Sequence, residues 1–298
     1  MEETPEVTPR RLTDLITVVP PPKSTEEPED IFSASLGLIF TDDIRSQHGD
    51  PGATIVYRSR RFGDIKLETA DPEGEEERKL FSHYLWNSGV LMAEKISRVS
   101  VEGERDAWNV NDERVLELGA GVGLAGIASV LAGAELVTIS DYPSPSLLAN
   151  IKHNVAVNLR RPPVDHSQEL LSRVSVEGHE WGSLTTPFAH LNTGRYTRIL
   201  ASDCLWMAHQ HLNLIRSMLH FLSVDPAARV LCIAGFHTGR PTLVEFFDMA
   251  EKEGLGVEEI WEEHAEGDKR EWSRELRRGG EEDVWERNKW VVCAVMKR

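Results

Sequence analysis

The sequence contains a glycine-rich turn of the kind that binds nucleoside cofactors. Residues 117–123 read Glu-Leu-Gly-Ala-Gly-Val-Gly and lie between an apolar run and a helical stretch. Glycines in such a turn let the backbone approach a ligand closely and supply unusual φ angles. Asp141 ends the next apolar run, where its carboxylate can accept hydrogen bonds from ribose hydroxyls. These residues predict a nucleoside-binding site.

Glu117 distinguishes between the two kinds of cofactor that such a turn can hold. Gly121-x-Gly123-x-x-Gly126 satisfies the dinucleotide fingerprint, which by itself is a weak signal. A carboxylate at the end of the first strand would repel a bound pyrophosphate, but it would attract the ammonium of the methionine part of S-adenosylmethionine. We therefore predict S-adenosylmethionine; a nicotinamide or flavin site and a plain surface turn are the alternatives.

The elements that must position these residues alternate along the chain. Short apolar runs and helical stretches follow one another after residue 111, as is typical of a parallel sheet covered on both faces. The predicted strands are 115–118, 136–140, 174–177, 199–203, 230–234, 257–261 and 290–296; the predicted helices are about 122–132, 144–158, 209–223 and 241–253. The segment before the last strand is charged and lacks apolar periodicity, so that strand should run antiparallel. Ligands of such sheets bind at the carboxyl ends of the strands.

The first third of the chain has a different composition. Residues 1–30 are rich in proline and glutamate, which predicts a disordered tail. Residues 31–110 are predicted to form an N-terminal extension, with a hairpin over 53–57 and 65–69 and a helix over 77–98. The core would then span residues 111–298.

Composition excludes several function classes. The chain has 33 Lys and Arg against 49 Asp and Glu, a net charge of −16, which disfavours direct nucleic-acid binding and suits either a cationic protein partner or simply an acidic surface. No apolar run reaches the ~18 residues that cross a bilayer, and residues 1–30 have no basic and apolar signal regions. The three cysteines have neither zinc-site nor disulfide spacing. A cytoplasmic protein without a metal, with access to the nucleus, is predicted.

The turn at 117–123 resembles motif I of the class I methyltransferases, and further motifs narrow this resemblance. They are Leu85-Trp86-Asn87-Ser88-Gly89, Asp141-Tyr142-Pro143, Asn150 and Asn154, Glu180-Trp181-Gly182, and Asp203-Cys204-Leu205-Trp206. Over residues 50–298 the chain is similar to the family 16 methyltransferases, a group of lysine methyltransferases that act on non-histone proteins. Within the family it looks most like the fungal nicotinamide N-methyltransferase-like members, whose relatives methylate translation elongation factor 1A.

This resemblance implies a fold and a set of site residues. The fold is α/β, a seven-stranded, mostly parallel, doubly wound, Rossmann-like sheet whose last strand is antiparallel. Trp86 would line the methionine side of the cofactor, Asp141 would hold the ribose and Trp181 the adenine. The full cofactor set that the resemblance implies is Trp86, Glu117, Gly119, Gly121, Asp141, Trp181, Ala201 and Ser202. Where the family usually has Asp-x-x-Tyr or Asp-x-x-Phe after the fourth strand, this sequence has Trp206.

Asp203, Trp206 and His237 are the candidate catalytic residues. Methyl transfer from a sulfonium is an in-line displacement that requires positioning and a neutral nucleophile but no metal. Deprotonating a lysine of pKa near 10.4 at pH 7 costs about 4.6 kcal/mol, and an apolar channel beside the sulfonium would lower this cost. Asp203 can attract and then orient the amine, and Trp206 can contact the cation by its ring face. His237 can orient substrate or relay a proton, unless it makes only a structural hydrogen bond.

The predicted function is an S-adenosylmethionine-dependent N-methyltransferase acting on a lysine or N-terminal amine of a protein, with a translation elongation factor among the acceptors that the resemblance implies. The alternative acceptor is a small molecule such as nicotinamide, whose ring nitrogen is already unprotonated. A cofactor-binding module without activity is a third hypothesis, which the intact turn and Asp141 disfavour. No Asn-Pro-Pro-Tyr follows the fourth strand, which argues against nucleic-acid bases. The charged loop at 264–288 is either a partner-recognition segment or solvated surface.

Overall fold

One eight-stranded sheet forms the centre of the protein. The computed structural model describes residues 11–20, 47–49, 52–70, 84–98, 106–160, 167–275 and 284–298. The strands are β1 (Ile16–Val19), β2 (Gln47–His48), β3 (Thr54–Ser59), β4 (Gly63–Glu68), β5 (Leu85–Trp86), β6 (Arg114–Leu118), β7 (Leu136–Asp141), β8 (Val174–Gly178), β9 (Arg198–Ser202), β10 (Arg229–Gly235), β11 (Gly256–His264), β12 (Lys269–Glu271) and β13 (Trp290–Lys297). The α-helices are α1 (Asn87–Ile96), α2 (Leu124–Leu131), α3 (Pro145–Leu159), α4 (Ser167–Ser172), α5 (Pro187–Leu191), α6 (His211–Phe221), α7 (Arg240–Lys252) and α8 (Val284–Arg287).

The strand order confirms the predicted sheet. It runs β12-β11-β13-β10-β9-β6-β7-β8. Strands β10, β9, β6, β7 and β8 are mutually parallel, and β13 lies antiparallel between β10 and β11. The eighth strand, β12, is an addition to the predicted seven: it pairs with the end of β11 within the charged segment that has no apolar periodicity.

Both faces of the sheet are covered because strand residues alternate between two cores. In β10, Leu231 and Ile233 pack with α1, α2 and α3, whereas Val230 and Cys232 pack with α6 and α7. This alternation is the period-2 pattern of a strand buried on both sides. No helix of the described residues is both long and apolar enough to span a membrane.

The N-terminal part forms a second, smaller sheet of order β1-β3-β4. The predicted hairpin is confirmed as β3 and β4. The expected disorder of residues 1–30 is wrong for Leu12–Val19: a 3-10 helix over Leu12–Leu15 precedes β1, which pairs with β3. Leu12 and Leu15 are buried, so local apolar residues outweigh the average composition of the segment. Residues 1–10 and 21–30 lie outside the described residues, and the division into tail, extension and core remains a prediction.

Helix boundaries follow the apolar pattern except near the N-terminus. The structure begins α1 at Asn87, after the short strand β5, and residues 77–83 of the predicted helix 77–98 lie outside the described residues. Helix α3 begins as its sequence suggests: Ser144 caps it and Pro145 occupies its first turn. The short helices α4 and α5 were not predicted, since five or six residues carry too little periodicity.

A buried ion pair ties the sheet edge to the loop that carries His237. Arg240, the first residue of α7, donates to Glu262 of β11 at 2.5 Å and to the Ser273 carbonyl at 2.7 Å. Its guanidinium lies 4.6 Å from the centre of the Phe236 ring. Arg270, from the charged loop, pairs with the same carboxylate at 2.6 Å. Part of the charged loop at 264–288 therefore has a structural role, through the pairing of Arg270 with Glu262.

We expect Arg240→Met to lower the free energy of unfolding by about 3–5 kcal/mol, because it leaves a buried carboxylate short of its main partner. Chemical denaturation at pH 7 measures this loss. Arg173→Ala removes an exposed ion pair with Glu169 and should leave the midpoint unchanged. Equal midpoints for the Arg240 variant and the wild-type protein would mean that the Arg240–Glu262 ion pair does not stabilise the fold.

Candidate active site

A cleft opens at the point where the sheet changes direction. From β6 the chain adds β7 and β8 on one side, then crosses back from β8 to β9 on the other side of β6 and continues to β10. The loops after the neighbouring strands β6 and β9 therefore part at the carboxyl edge. The space in the cleft, with its open mouth, is about 1090 Å³. Nine of the predicted site residues line it: Trp86, Glu117, Gly119, Gly121, Asp141, Trp181, Ser202, Asp203 and Trp206. The geometric rule for α/β sheets thus brings together residues far apart in sequence.

Glu117 is buried at the base of the cleft and caps a helix. Its Oε2 accepts a hydrogen bond from the Gly126 N–H, in the first turn of α2, at 2.8 Å. That amide belongs to the group that helix geometry leaves without a partner. Burial raises the pKa of Glu117 to about 8, and the nearby Asp141 also raises it. A cation placed beside Glu117 would therefore draw off its proton and restore the carboxylate.

The glycine loop, residues 119–123, has left-handed backbone where the chain must pass close to other groups. Gly119 has φ +65°, and a Cβ there would lie 2.7 Å from Cys204 Sγ and 3.1 Å from Trp181 Cζ2. Gly121 also has positive φ, and its N–H donates to Asp141 Oδ2 at 2.7 Å. Burial raises the pKa of Asp141 to about 6. The loop and the acid at the end of β7 form one hydrogen-bonded unit.

Asp203 and His237 form a pair at the other side of the cleft. Asp203 has φ +57°, which is uncommon for a residue other than glycine, and its Oδ1 accepts from the Gly235 N–H at 2.9 Å. Its Oδ2 lies 3.2 Å from His237 Nε2, and the His237 ring lies 4.8 Å from Trp86. Burial acts to raise the pKa of Asp203, but the charge of His237 holds it below its usual value. In turn Asp203 raises the pKa of His237 against the effect of burial.

Two predicted site residues are placed differently from the others. Ala201 is buried in the core between β6 and β10, and its side chain does not line the cleft. His237 stands behind Asp203 and reaches the cleft through that carboxylate and Trp86. The apolar runs predict that Ala201 lies near the end of the fourth strand and that His237 follows the fifth, but they do not predict these orientations.

Unpaired polar atoms in the cleft wall indicate room for a polar ligand. Ser202 Oγ and His179 Nδ1 are buried and have no hydrogen-bond partner among the described residues. The other ring nitrogen of His179 lies 2.9 Å from Ser217 Oγ, and burial lowers the pKa of this imidazole to about 4. His179 was not predicted, although it directly precedes the Glu180-Trp181 motif. With two buried acids, the glycine loop and three tryptophans, the residues present fit S-adenosylmethionine.

Comparisons with known proteins agree with this geometry. A family model described as lysine methyltransferase matches residues 73–253. "Protein N-terminal and lysine N-methyltransferase efm7" of Schizosaccharomyces pombe is 34% identical over 208 residues, 64% of this chain and 74% of that protein. The protein of the same name in Candida glabrata is 31% identical over 187 residues, 61% of this chain and 66% of that protein.

Solved structures are more distant. A putative transferase, PH0793, of Pyrococcus horikoshii gives a TM-score of 0.48 at 12% identity, covering 90% of this chain and 83% of the other. A likeness at this level adds nothing to the family match, which spans more than half of the chain. The chain belongs to the lysine methyltransferase family, family 16 of the class I methyltransferases, and is an enzyme whose cofactor is S-adenosylmethionine.

Proposed function

We propose that the protein methylates an amine nitrogen of a protein substrate, either a lysine side chain or an N-terminal α-amine. The observation that carries this proposal is the Asp203 carboxylate, which is fixed at the wall of the cleft by Gly235 and His237, in a cleft that Trp86 and Trp206 also line. A cleft that offers both a carboxylate and aromatic rings attracts an ammonium group. The names of the relatives from Schizosaccharomyces pombe and Candida glabrata support the same two acceptor classes.

In this proposal Asp203 binds the charged acceptor amine and His237 accepts the proton that it loses. S-adenosylmethionine supplies a methyl group on a sulfonium, so the acceptor nitrogen must arrive with a free electron pair. An incoming ammonium competes with the His237 imidazolium for Asp203, which lowers the pKa of His237. The neutral imidazole can then accept a proton that leaves the amine, directly or through water. Asp203 keeps its charge throughout and orients the amine.

The two acceptor classes differ in how much they need the Asp203–His237 pair, because their amines have different pKa values. An N-terminal α-amine has a pKa of about 7.7–8.0 and loses its proton at pH 7 for about 1 kcal/mol. A lysine needs about 4.6 kcal/mol. Loss of the Asp203–His237 pair should therefore slow lysine methylation more than methylation of an N-terminus.

We further propose a cytoplasmic acceptor with a cationic surface, and a translation elongation factor as the first to test. The net charge of −16 favours encounter with a basic partner. The site residues in this proposal are Trp86, Glu117, Gly119, Gly121, Asp141, Trp181 and Ser202 for the cofactor, with Asp203, Trp206 and His237 at the acceptor.

A methyl-labelling experiment tests the proposal. The protein is incubated with methyl-labelled S-adenosylmethionine and a lysate that lacks endogenous protein methylation, and labelled bands are mapped by mass spectrometry. Label on a lysine or an N-terminal amine is the expected result. The Asp141→Ala variant, which loses the carboxylate that binds the loop amide, is the negative control and should give no label.

Nicotinamide, offered in place of the lysate, tests the alternative acceptor. A labelled small molecule and an unlabelled lysate would contradict a protein acceptor. Label on arginine, or on nucleic acid in the same lysate, would contradict the proposal that the acceptor is an amine.

A further inference from the structure

Helix α3 places asparagine side chains along β4, the edge strand of the N-terminal sheet among the described residues. Asn158 Oδ1 accepts from the Lys66 N–H at 2.9 Å, and its Nδ2 donates to the Lys66 carbonyl at 2.6 Å. One turn earlier, Asn154 does the same with Glu68, at 2.8 Å and 3.0 Å. Two residues of β4 rise about 6.8 Å and four residues of a helix about 6.0 Å, so the two side chains match alternate edge residues. The amides thus act as an additional strand.

Asn154 makes one contact that Asn158 lacks. Its Nδ2 also donates to the carbonyl of Val122, at 3.0 Å, whereas the third bond of Asn158 goes to the Asn154 carbonyl in its own helix. Val122 lies in the glycine loop and lines the cleft. Ile151, one turn earlier in α3, also supports the loop: a Cβ at Gly123 would lie 3.3 Å from its Cγ2.

A bond to Val122 fixes the loop at its middle. The neighbouring Gly121 donates its N–H to Asp141, and the N–H of Gly123 donates to the Ala120 carbonyl at 2.8 Å. Between these two glycines, the Val122 carbonyl is held by the side chain of Asn154, which is buried. Because the Val122 carbonyl and the Gly123 N–H share one peptide plane, the bond from Asn154 also fixes the direction of that N–H.

We propose that Asn154 is a positioning residue for the cofactor: it joins the glycine loop to the edge of β4, so that the N-terminal sheet and bound S-adenosylmethionine stabilise each other. The inference rests on the cofactor site proposed above. Because coupling between two sites is reciprocal, order in the sheet must favour cofactor binding by the factor by which the cofactor favours order in the sheet.

Asn154→Ala and Asn158→Ala form a matched pair of variants. Among the described residues, each loses two hydrogen bonds to β4 and a bond to one other carbonyl, and both residues are buried on the same face of α3. We expect similar falls in Tm, but only Asn154→Ala should weaken S-adenosylmethionine binding, by about three- to tenfold in calorimetry. Equal affinities for the two variants at equal Tm loss would overturn the proposal.

Hydrogen–deuterium exchange of the wild-type protein tests the same coupling without a variant that must fold. Added S-adenosylmethionine should slow exchange of the Lys66 and Glu68 amides as well as those of the glycine loop. Slowing in the loop with unchanged exchange in β4 would overturn the proposal.

Asp141→Ala separates this inference from the site on which it rests. If that variant binds S-adenosylmethionine as tightly as the wild-type protein, the cofactor site itself is wrong. If Asp141→Ala binds S-adenosylmethionine weakly while Asn154→Ala and Asn158→Ala bind it with equal affinity, only the role of Asn154 is wrong.

Discussion

Asp203→Asn is expected to lower kcat by about 100- to 1000-fold, the range found when a charged or proton-transferring group is removed from a transition state. The amide keeps the size of the side chain and an oxygen that accepts from the Gly235 N–H. It loses the charge that holds His237 and attracts an ammonium. Because the change concerns the acceptor, the dissociation constant of S-adenosylmethionine should change by less than about threefold.

Steady-state kinetics on the methylated substrate and calorimetry with S-adenosylmethionine measure the two effects separately. Asp225→Asn is the matched control: Asp225 accepts a bond from the Ala227 N–H in a surface turn, away from the cleft. It should leave both constants unchanged. A wild-type kcat for Asp203→Asn would remove Asp203 from the catalytic residues, and a large loss of cofactor affinity would move it to the cofactor site.

The sheet and the edge that carries the site could be predicted from the sequence. Buried parallel strands leave apolar runs along the chain, and β6, β7, β9 and β10 each end within one residue of the predicted end. Residues that follow such runs must meet at one edge. For this reason Glu117, Asp141 and Asp203 could be placed together before any contact between them was known.

The contacts that set the chemistry of the site could not be predicted in this way. His237 pairs with a residue 34 positions away, and Asn154 binds a strand 86 positions away. Nothing in a local pattern specifies such partners. The left-handed φ of Asp203 was equally hidden, since it is imposed by bonds to β10 rather than by a glycine. The motif that contains Asn154 supports the family resemblance but predicts no contact, because periodicity shows which face of a helix is polar but not what covers it.

Glu117→Gln is expected to weaken S-adenosylmethionine binding by about 10- to 100-fold, the cost of losing a hydrogen bond to a charged group. Gln still offers an oxygen to the Gly126 N–H, so the start of α2 keeps its cap. What it loses is the ability to become an anion beside the ammonium of the cofactor. Calorimetry measures the loss, and an unchanged affinity would contradict a cofactor ammonium beside Glu117.

The pH dependence of S-adenosylmethionine binding should differ between the wild-type protein and Glu117→Gln. In the free wild-type protein the pKa of Glu117 is about 8, so its carboxyl group is mostly protonated at pH 6–7.5. The cationic ligand favours the carboxylate, and binding therefore releases a proton. Affinity should rise by about tenfold between pH 6 and 7.5, before the α-ammonium of the ligand itself begins to titrate near pH 8. Glu117→Gln should show no such rise, and calorimetry in buffers of different ionisation enthalpy should show proton release for the wild-type protein alone.

The raised pKa of Glu117 also makes the stability of the cofactor-free protein depend on pH. The unfolded chain loses the proton of Glu117 near pH 4.5, whereas the folded chain keeps it to about pH 8. The folded state thus holds more protons in this interval, so its stability falls as the pH rises. Between pH 6 and 8 the free energy of unfolding should fall by about 2 kcal/mol more for the wild-type protein than for Glu117→Gln. Parallel stability curves from denaturation at several pH values would mean that Glu117 is ionised before the cofactor arrives, and that a preformed anion rather than a proton switch selects the ligand.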